Sequence, residues 1–427
     1  CTQNGPVKQI LPNTDDAYVE FENIQNQLAV PFTIFADTEA TCCKLDVEER
    51  DAKSDQNSYT DKYQKQTPNS YAYKIVSTIP KFNNIPLKLY RGPNCMDHFL
   101  KSLKEESKWI MDYVKNTNVP MIITAEQQKQ FNYSTHCHVC EKSFDESVEA
   151  KSKVRDHDHF TGLYRGAAHN SCNIKFNYKK FKIPVLFHNL KGYDNHFIIT
   201  ALNNQFKKVS VIPLNSEKYL SINLGCFRFN DSMQFLNCSL EKLVNNAKDD
   251  ITVFKSFLNH YKIPLTGPVT DAQKSFVDLM LQKGLYPYDF VDSVDKFNQT
   301  KLPTQKQFYN KLYDEHISDD EYKRAQKVWE INNCQTFGDY HDLYLANDVL
   351  LLADVFELFR TISMKEYKLD PCWYVSLPGF AWDVMLKMTK VRLDLFDNTQ
   401  LDMYEFIERG IRGGISIIAN RHAKANN

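Results

Sequence analysis

Apolar positions along this chain fall into short continuous runs and into longer stretches with helical spacing. The short runs have the length of buried strands, and they cover residues 31–36, 183–187 and 225–229. The helical spacing, with apolar residues every three or four positions, covers residues 96–114, 340–367 and 378–390. The alternation of the two patterns predicts an α/β fold rather than an all-helical or all-strand one.

Polar stretches separate these elements. Residues 44–70 are charged and rich in Gln, Asn and Ser, which predicts a surface loop, and 131–178 are rich in Cys and His. A turn is expected at 410–414 and a strand at 415–418. The pattern predicts a mixed α/β core, a small inserted Cys/His module and a helical C-terminal part.

Composition narrows the class of protein. The 427 residues are 42% apolar and 25% charged, with a net charge of −1. The chain therefore has no overall positive charge that would indicate nucleic-acid binding. Aromatic residues reach 13%, a supply that suits stacking on unpaired bases. No apolar stretch approaches the roughly 18 residues that cross a bilayer. We therefore expect an intracellular protein with no membrane partner, and nothing distinguishes nucleus from cytoplasm.

Four carboxylates are spaced as metal-dependent hydrolysis of a phosphodiester requires. Asp37 and Glu39 end the first strand, and residues i and i+2 of a strand share a face. Asp194 follows the second strand, and Asp348 lies one helical turn after Tyr344. Two divalent ions about 3.5–4 Å apart need several such hard oxygen ligands. Each signal is weak alone, since an Asp at a strand end is more often a cap or turn residue.

The stretches that hold these residues resemble the Exo I, Exo II and Exo III motifs of family B DNA polymerases. They are Phe-Ala-Asp-Thr-Glu at 35–39, Phe-His-Asn-Leu-Lys-Gly-Tyr-Asp at 187–194, and Asp-Leu-Tyr-Leu-Ala-Asn-Asp-Val-Leu-Leu-Leu-Ala-Asp-Val at 342–355. The likeness is greatest to the protein-primed branch of Polinton-type transposons, adenovirus-like elements, linear plasmids and some bacteriophages.

The resemblance implies an RNase H-like proofreading domain that hydrolyses single-stranded 3′ ends with two Mg²⁺ or Mn²⁺ ions. The residues matching the family's metal ligands are Asp37, Glu39, Asp194 and Asp348. Asn189 and Tyr344 match the Asn of Exo II and the Tyr of Exo III. The implied parent is a DNA-directed DNA polymerase that uses primer-template DNA and a terminal-protein primer. The chain begins with Cys1 rather than Met, and the family's palm motifs do not occur before Asn427, so we expect a fragment at both ends that does not polymerise.

Two segments resemble the family motif Ser/Thr-Leu-x-x-apolar, which grips the single-stranded 3′ end. Ser232 fits by position, although Met233 replaces the Leu, and Ser239-Leu240 fits literally. Both remain candidates. Lys283 resembles the Lys of a further motif that contacts the active site, and the alternative is a solvated Lys before a glycine turn.

Near the C-terminal end, Arg412-Gly413-Gly414 resembles the family's Tyr-x-Gly-Gly linker, which touches template DNA. Ile411 takes the place of the Tyr, so an aromatic contact is not expected there. The two glycines allow the backbone to approach phosphate closely.

The Cys/His module has the spacing of a tetrahedral zinc site. Cys137 and Cys140 form a CxxC pair, and His169 and Cys172 form a later HxxC pair. A structural Zn²⁺ would explain how so polar a segment folds. The alternative is four unligated side chains in a reducing compartment.

The same module resembles recombination endonuclease VII, a member of the His-Me nucleases. In that family an Asp and an Asn hold one Mg²⁺ while a His activates water; the matching residues are Asp156, Asn173 and His157, with His159 nearby. His169 stands where the family usually has a fourth Cys. A zinc-stapled DNA contact that no longer cuts is the alternative.

These interpretations divide the chain into five parts. They are a lead-in at 1–30, the first exonuclease part at 31–130, the zinc and endonuclease VII-like module at 131–178, the second exonuclease part at 179–365, and a linker toward the polymerase domain at 366–427. The main hypothesis is a 3′→5′ proofreading exonuclease. The alternatives are a structure-selective endonuclease and a catalytically silent, DNA-binding transposon remnant.

Overall fold

The computed structural model describes residues 10–45, 64–202, 206–215, 218–265, 267–312, 314–411 and Gly413. The strands are β1 (Tyr18–Val19), β2 (Phe32–Lys44), β3 (Gln64–Ser77), β4 (Lys88–Arg91), β5 (Lys153–His157), β6 (Tyr164–His169), β7 (Ile183–Phe187), β8 (Val209–Pro213), β9 (Tyr219–Leu224), β10 (Phe227–Asp231) and β11 (Leu393–Asp394).

The α-helices alternate with these strands in the first half of the chain and dominate the second half. They are α1 (Cys95–Asn116), α2 (Ala125–Tyr133), α3 (Asn170–Lys175), α4 (Asp194–Thr200), α5 (Leu240–Ala247), α6 (Lys255–His260), α7 (Asp271–Met280), α8 (Asp319–Ile331), α9 (Phe337–Tyr367), α10 (Leu377–Thr389) and α11 (Leu401–Gly410). No helix of the described residues is both long and apolar enough to cross a bilayer.

Seven strands form one mixed sheet in the order β4-β3-β2-β7-β10-β9-β8. The central strand β2 pairs antiparallel with β3 on one side and parallel with β7 on the other. Strand β10 continues the parallel part, and β9 and β8 return antiparallel to the edge. The predicted α/β class and mixed sheet are therefore confirmed.

The long helix α9 packs across β2 and β3 and contributes much of the main core. Its N-terminus is fixed by a capping box, in which the Thr336 side chain accepts from the Asp339 backbone and Asp339 reciprocates. Near its C-terminal end, the buried Arg360 pairs with Asp370, whose carboxylate also accepts from the Val30 backbone N–H at 2.7 Å. Helix α9 is thus tied to the chain just before β2.

The predicted elements at 96–114, 183–187, 340–367 and 378–390 are confirmed with small shifts of their ends, as α1, β7, α9 and α10. The predicted loop at 44–70 is wrong over its last part, since β3 begins at Gln64. This ribbon of β3 pairs with the extension of β2 through backbone hydrogen bonds, which polar side chains do not prevent. The predicted strand at 415–418 lies outside the described residues.

Candidate metal-binding active site

The fold brings the four predicted carboxylates to one region beside the central strand. Asp37 and Glu39 lie on β2, Asp194 begins α4 directly beyond β7, and Asp348 lies on α9 where this helix crosses β2. The hydroxyl of Thr38 donates to the Asp194 carboxylate, which joins β2 to α4 at this point. The charges of Glu39, Asp194 and Asp348 all act on Asp37, so the four carboxylates that the resemblance implied are neighbours.

Burial and mutual repulsion make these carboxylates hard to ionise together. Burial, followed by the charges of Asp194, Glu39 and Asp348, holds the pKa of Asp37 well above its usual range. Burial and the charges of Asp348 and Asp194 do the same for Glu39. Burial raises the pKa of Asp194 to about 7 and that of Asp348 to about 6. A cation bound nearby would lower these pKa values and allow the carboxylates to ionise together.

The donor set fits divalent ions. The Oδ1 atom of Asp348 is buried without a hydrogen-bond partner, as a carboxylate oxygen reserved for a metal would be. The positive charge of Lys283 partly offsets the rise in the pKa of Glu39 and Asp348. One ammonium group cannot balance the charge of four carboxylates. Hard carboxylate oxygens suit Mg²⁺ or Mn²⁺ rather than a soft-ligand metal.

Tyr344 is held tightly by the segment that follows Lys283. Its ring stacks on Tyr286 with a centroid distance of 4.7 Å, and its hydroxyl lies 2.7 Å from the Tyr288 hydroxyl. Gly284 also lies against this ring, because a Cβ atom there would lie only 2.4 Å from Tyr344 Cδ2. The sequence analysis gave no role to Tyr286, Tyr288 or Thr38; two tyrosines spaced by one residue after the motif Lys were the available signal.

Substituting Gly284 with alanine should displace Tyr344. The new methyl group meets a buried ring rather than the flexible end of a side chain. A misplacement near 1 Å in an active site can cost about a hundredfold in rate, so we expect a roughly ten- to hundredfold loss of any activity that uses Tyr344. Steady-state assays on Gly284→Ala measure this loss.

Gly379→Ala is the matched control for that substitution, because nothing lies within 4 Å of a Cβ atom at this position in α10. We expect unchanged activity and equal or slightly greater stability, up to about 1 kcal/mol from helix propensity. Equal activity in the two variants would contradict the role given to Gly284.

The segment between β7 and α4 is held in place by hydrogen bonds to Asp231. This buried carboxylate accepts from the backbone N–H of Asn189 at 2.9 Å and of Lys191 at 3.2 Å. Asn189 has a φ of 70°, and its side chain lies against Gly192, where a Cβ atom would be 2.6 Å from Asn189 Oδ1. The predicted Exo II residue is thus fixed beside Asp194.

The two candidate serine motifs occupy different surroundings. Ser232 is fully buried, and its hydroxyl lies 2.9 Å from His188 Nδ1 in the segment that leads to Asp194. Ser239 caps α5 by accepting from the Lys242 backbone N–H, and Leu240 packs into the core. Ser232 is therefore hydrogen-bonded to the segment before Asp194, whereas the Ser239 hydroxyl is used as a helix cap.

The predicted linker motif near the C-terminal end is only partly described. Gly413 is exposed, and nothing lies within 4 Å of a Cβ atom built there. Arg412 and Gly414 lie outside the described residues.

A second candidate metal centre lies in the Cys/His module. The ligand atoms of Cys137, Cys140, His169 and Cys172 all lie within 4.8 Å of one another. His169 Nε2 donates to the Ser143 carbonyl at 2.9 Å, which leaves Nδ1 directed to the sulfur atoms, 3.3 Å from Cys140 Sγ. The set of three sulfurs and one imidazole nitrogen fits Zn²⁺.

The zinc-type centre is built on a two-stranded sheet, β5–β6, followed by helix α3. Val139 and Cys137 pack with Ile24 and Leu28, which belong to the segment leading into β2. Gln27 Nε2 also donates to the Val139 carbonyl at 3.1 Å. The module is therefore attached to the N-terminal entry of the central strand.

The endonuclease-like residues are placed on this same ββα unit. Asp156 is buried and accepts from Arg165 Nη2 at 2.7 Å and from His138 Nε2 at 2.9 Å. Burial works against its ionisation, but the hydrogen bonds from His138 and Arg165 prevail and lower its pKa. Both carboxylate oxygens thus already accept hydrogen bonds within the protein, so a metal ion at Asp156 would compete with Arg165 and His138 for this charge.

The other endonuclease-like residues lie near Asp156 in the chain. His157 follows a register shift in β5, and its ring lies 4.9 Å from that of His159. Asn173 lies on α3, directly after the zinc-type ligand Cys172. The ββα unit therefore carries the four residues, with Asp156 already paired.

Comparisons with known proteins give two family matches. The model of the family described as DNA polymerase type B, organellar and viral, matches residues 172–426, which is well over half of the chain. The model described as recombination endonuclease VII matches residues 114–181.

One curated relative and one solved structure are also similar. A probable DNA polymerase of Podospora anserina is 25% identical over 225 residues, which is 47% of this chain and 18% of that protein. The chain therefore spans less than a fifth of the length of this relative. A structure of Phi29 DNA polymerase with primer-template DNA and incoming nucleotides aligns over 79% of this chain and 31% of its own, with a TM-score of 0.26 and 13% identity.

Proposed function

Because this chain belongs to the type B DNA polymerases of organelles and viruses, we propose that its carboxylate cluster is a 3′→5′ proofreading exonuclease site. The observation that carries the proposal is the convergence of four carboxylates around β2, with a buried oxygen of Asp348 left without a partner. An RNase H-like sheet is supported by its order, since β2 has antiparallel neighbours on one side and parallel ones on the other.

In this proposal each residue has a separate task. Asp37, Glu39, Asp194 and Asp348 would hold two Mg²⁺ or Mn²⁺ ions. The ions, when bound, polarise the scissile phosphate and lower the pKa of an attacking water. Tyr344, held through the Tyr288 hydroxyl, would orient that water by a hydrogen bond.

Binding of DNA is assigned to neighbouring side chains. Lys283 would offset negative charge at the cluster and contact the phosphate of a frayed 3′ end. Ser232 lies beside the segment before Asp194 and is the better placed of the two serine candidates. Gly413, Arg412 and Gly414 would contact template DNA. The proposed parent is a protein-primed polymerase of the Polinton type, acting in DNA replication inside the cell with a terminal-protein primer.

The direct test is degradation of a 5′-labelled single-stranded oligonucleotide by the 427-residue chain with Mg²⁺ or Mn²⁺. Removal from the 3′ end gives a ladder of shortened labelled products, whereas a phosphorothioate bond at the last linkage should block it. Release of the labelled 5′ nucleotide instead, or activity that persists with the blocked end, would refute the proposal.

A second candidate, an endonuclease of the Cys/His module, is favoured by the family match to residues 114–181. Its proposed metal ligands are Asp156 and Asn173, with His157 as the base and His159 beside it. The pairing of Asp156 with Arg165 favours instead a zinc-stapled module that contacts DNA without cutting. Covalently closed circular DNA has no 3′ end, so nicking of circles that His157→Ala abolishes would establish this activity. A protein that neither degrades 3′ ends nor nicks circles would be a silent DNA-binding remnant.

A further inference from the structure

A chain of buried polar side chains joins helix α9 to strands β2 and β3 beside the carboxylate cluster. The Tyr286 hydroxyl lies 2.6 Å from His341 Nδ1, and His341 Nε2 lies 2.7 Å from Ser70 Oγ. Ser70 Oγ donates to Asn69 Oδ1 at 2.7 Å, and Asn69 Nδ2 donates to Thr41 Oγ1 at 2.9 Å. All five residues are buried.

The hydrogen bonds of this chain run in one direction. Because Ser70 gives its hydroxyl proton to Asn69, its oxygen accepts from His341, so His341 carries its proton on Nε2. Nδ1 of His341 is then an acceptor for the Tyr286 hydroxyl. Burial, followed by the charge of Arg91, lowers the pKa of His341 to about 3, in keeping with a neutral ring of fixed tautomer.

Two members of this chain, Ser70 and Tyr286, adjoin the two halves of the proposed active site. Ser70 is the partner of Glu39 across the β2–β3 ladder, and the register shifts at the next residue, Ala40. Tyr286 stacks on Tyr344, four residues before Asp348 on α9. Register shifts re-aim side chains and need support from their surroundings. His341 is the link between the half on the sheet and the half on the helix.

We propose that His341 is a positioning residue, which sets the distance of Tyr344 and Asp348 on α9 from Asp37 and Glu39 on β2 through Ser70 and Tyr286. This inference rests on the proposed exonuclease function. The alternative is that His341 only supplies hydrogen bonds to buried polar groups and has no effect on the active site. The two differ because positioning predicts a change in metal use and turnover, whereas simple burial predicts a loss of stability alone.

The test compares three single variants with the unaltered chain. His341→Phe keeps an aromatic ring without its hydrogen bonds, Tyr286→Phe removes one hydroxyl, and Ser70→Ala removes the other. We expect His341→Phe to lower kcat for 3′ nucleotide release by roughly ten- to a hundredfold, with KM for DNA changed less than threefold. The Mn²⁺ concentration for half-maximal rate should rise several-fold.

Coupling between the residues supplies an independent readout. The double variant combines His341→Phe with Tyr286→Phe. If His341 acts through Tyr286, this double variant should lose little more activity than His341→Phe alone, because the two effects are not additive. Asp354→Asn is the matched control, because Asp354 is also buried on α9 but accepts hydrogen bonds from Ser256 and Phe257, away from the cluster. It should lower the unfolding temperature without changing the Mn²⁺ requirement.

The outcomes separate this inference from the function on which it rests. An unaltered chain that degrades no 3′ ends removes the proposed function itself. An active chain whose His341→Phe variant loses activity only as it loses folded protein, as Asp354→Asn does, overturns the positioning role. If His341→Phe does not fold, Tyr286→Phe and Ser70→Ala decide: a raised Mn²⁺ requirement in both supports the role, and an unchanged one overturns it.

Discussion

Replacing Asp37 and Glu39 together with alanine is expected to abolish degradation of single-stranded 3′ ends while the fold is retained. Both side chains belong to the carboxylate cluster, and in the proposed reaction the metal ions held by that cluster would stabilise transition-state charge at the phosphate. Removal of one such stabilising group costs about 10²–10³ in rate in other enzymes, so the double variant should lose at least roughly 10³-fold. The rate of ladder formation from a 5′-labelled strand measures the loss.

The fold should survive because the two substitutions remove mutually repelling carboxylates, of which Glu39 is buried and Asp37 is half-buried. Mn²⁺ should raise the unfolding temperature of the unaltered chain but not that of the variant, since a ligand stabilises only the state it binds. Asp15→Ala with Asp16→Ala is the matched control, because both residues are exposed and the number of carboxyl groups removed is the same. Full activity in the Asp37 and Glu39 variant would disprove the assignment of these carboxylates.

Removing the proposed zinc should unfold the Cys/His module. The apolar cluster that it shares with Ile24 and Leu28 is small, and its buried members within the module are Cys137, Val139, Ala168 and Phe176. Structural zinc contributes about 10–16 kcal/mol in small zinc domains, far more than so few apolar contacts provide. Cys137→Ser with Cys140→Ser should therefore lose one zinc per chain and become sensitive to protease within residues 131–178.

Cys238→Ser serves as the control, since Cys238 is a half-buried cysteine outside the zinc-type cluster. It should keep its zinc and its resistance to protease. Metal analysis that finds a full equivalent of zinc in the Cys137 and Cys140 variant would show that these sulfurs are not ligands. A chelator should reproduce the effect of the double substitution.

Local patterns predicted the parts of the site that lie on regular elements. The strand carrying Asp37 and Glu39 and the helix carrying Tyr344 and Asp348 follow from apolar runs and helical spacing, but the strand continues to Lys44 and does not end at the two carboxylates as predicted. Their convergence rested on a resemblance, because residues so distant along the chain have no local signal. The expected zinc ligands also came together, since their spacing within each pair is short.

Long-range pairing explains what the sequence did not reveal. The polar residues 64–70 were predicted as loop because β propensity cannot register a partner strand such as β2. No local pattern in the sequence indicates that the Asp156 carboxylate accepts hydrogen bonds from Arg165 and His138. Likewise, the links from His341 to Ser70 and Tyr286 span 271 and 55 positions in the chain, beyond any local pattern.

The Cys/His module meets β2 at the end where this strand enters the sheet, before Phe32, whereas Asp37 and Glu39 lie farther along. At about 3.3 Å per residue, Phe32 and Asp37 are separated by roughly 17 Å. Lengthening or losing the module would therefore not cover the part of β2 that carries Asp37 and Glu39. Its loss would expose Ile24 and Leu28 to solvent. A segment attached at this edge of the fold can therefore change in length without rebuilding the proposed metal centre.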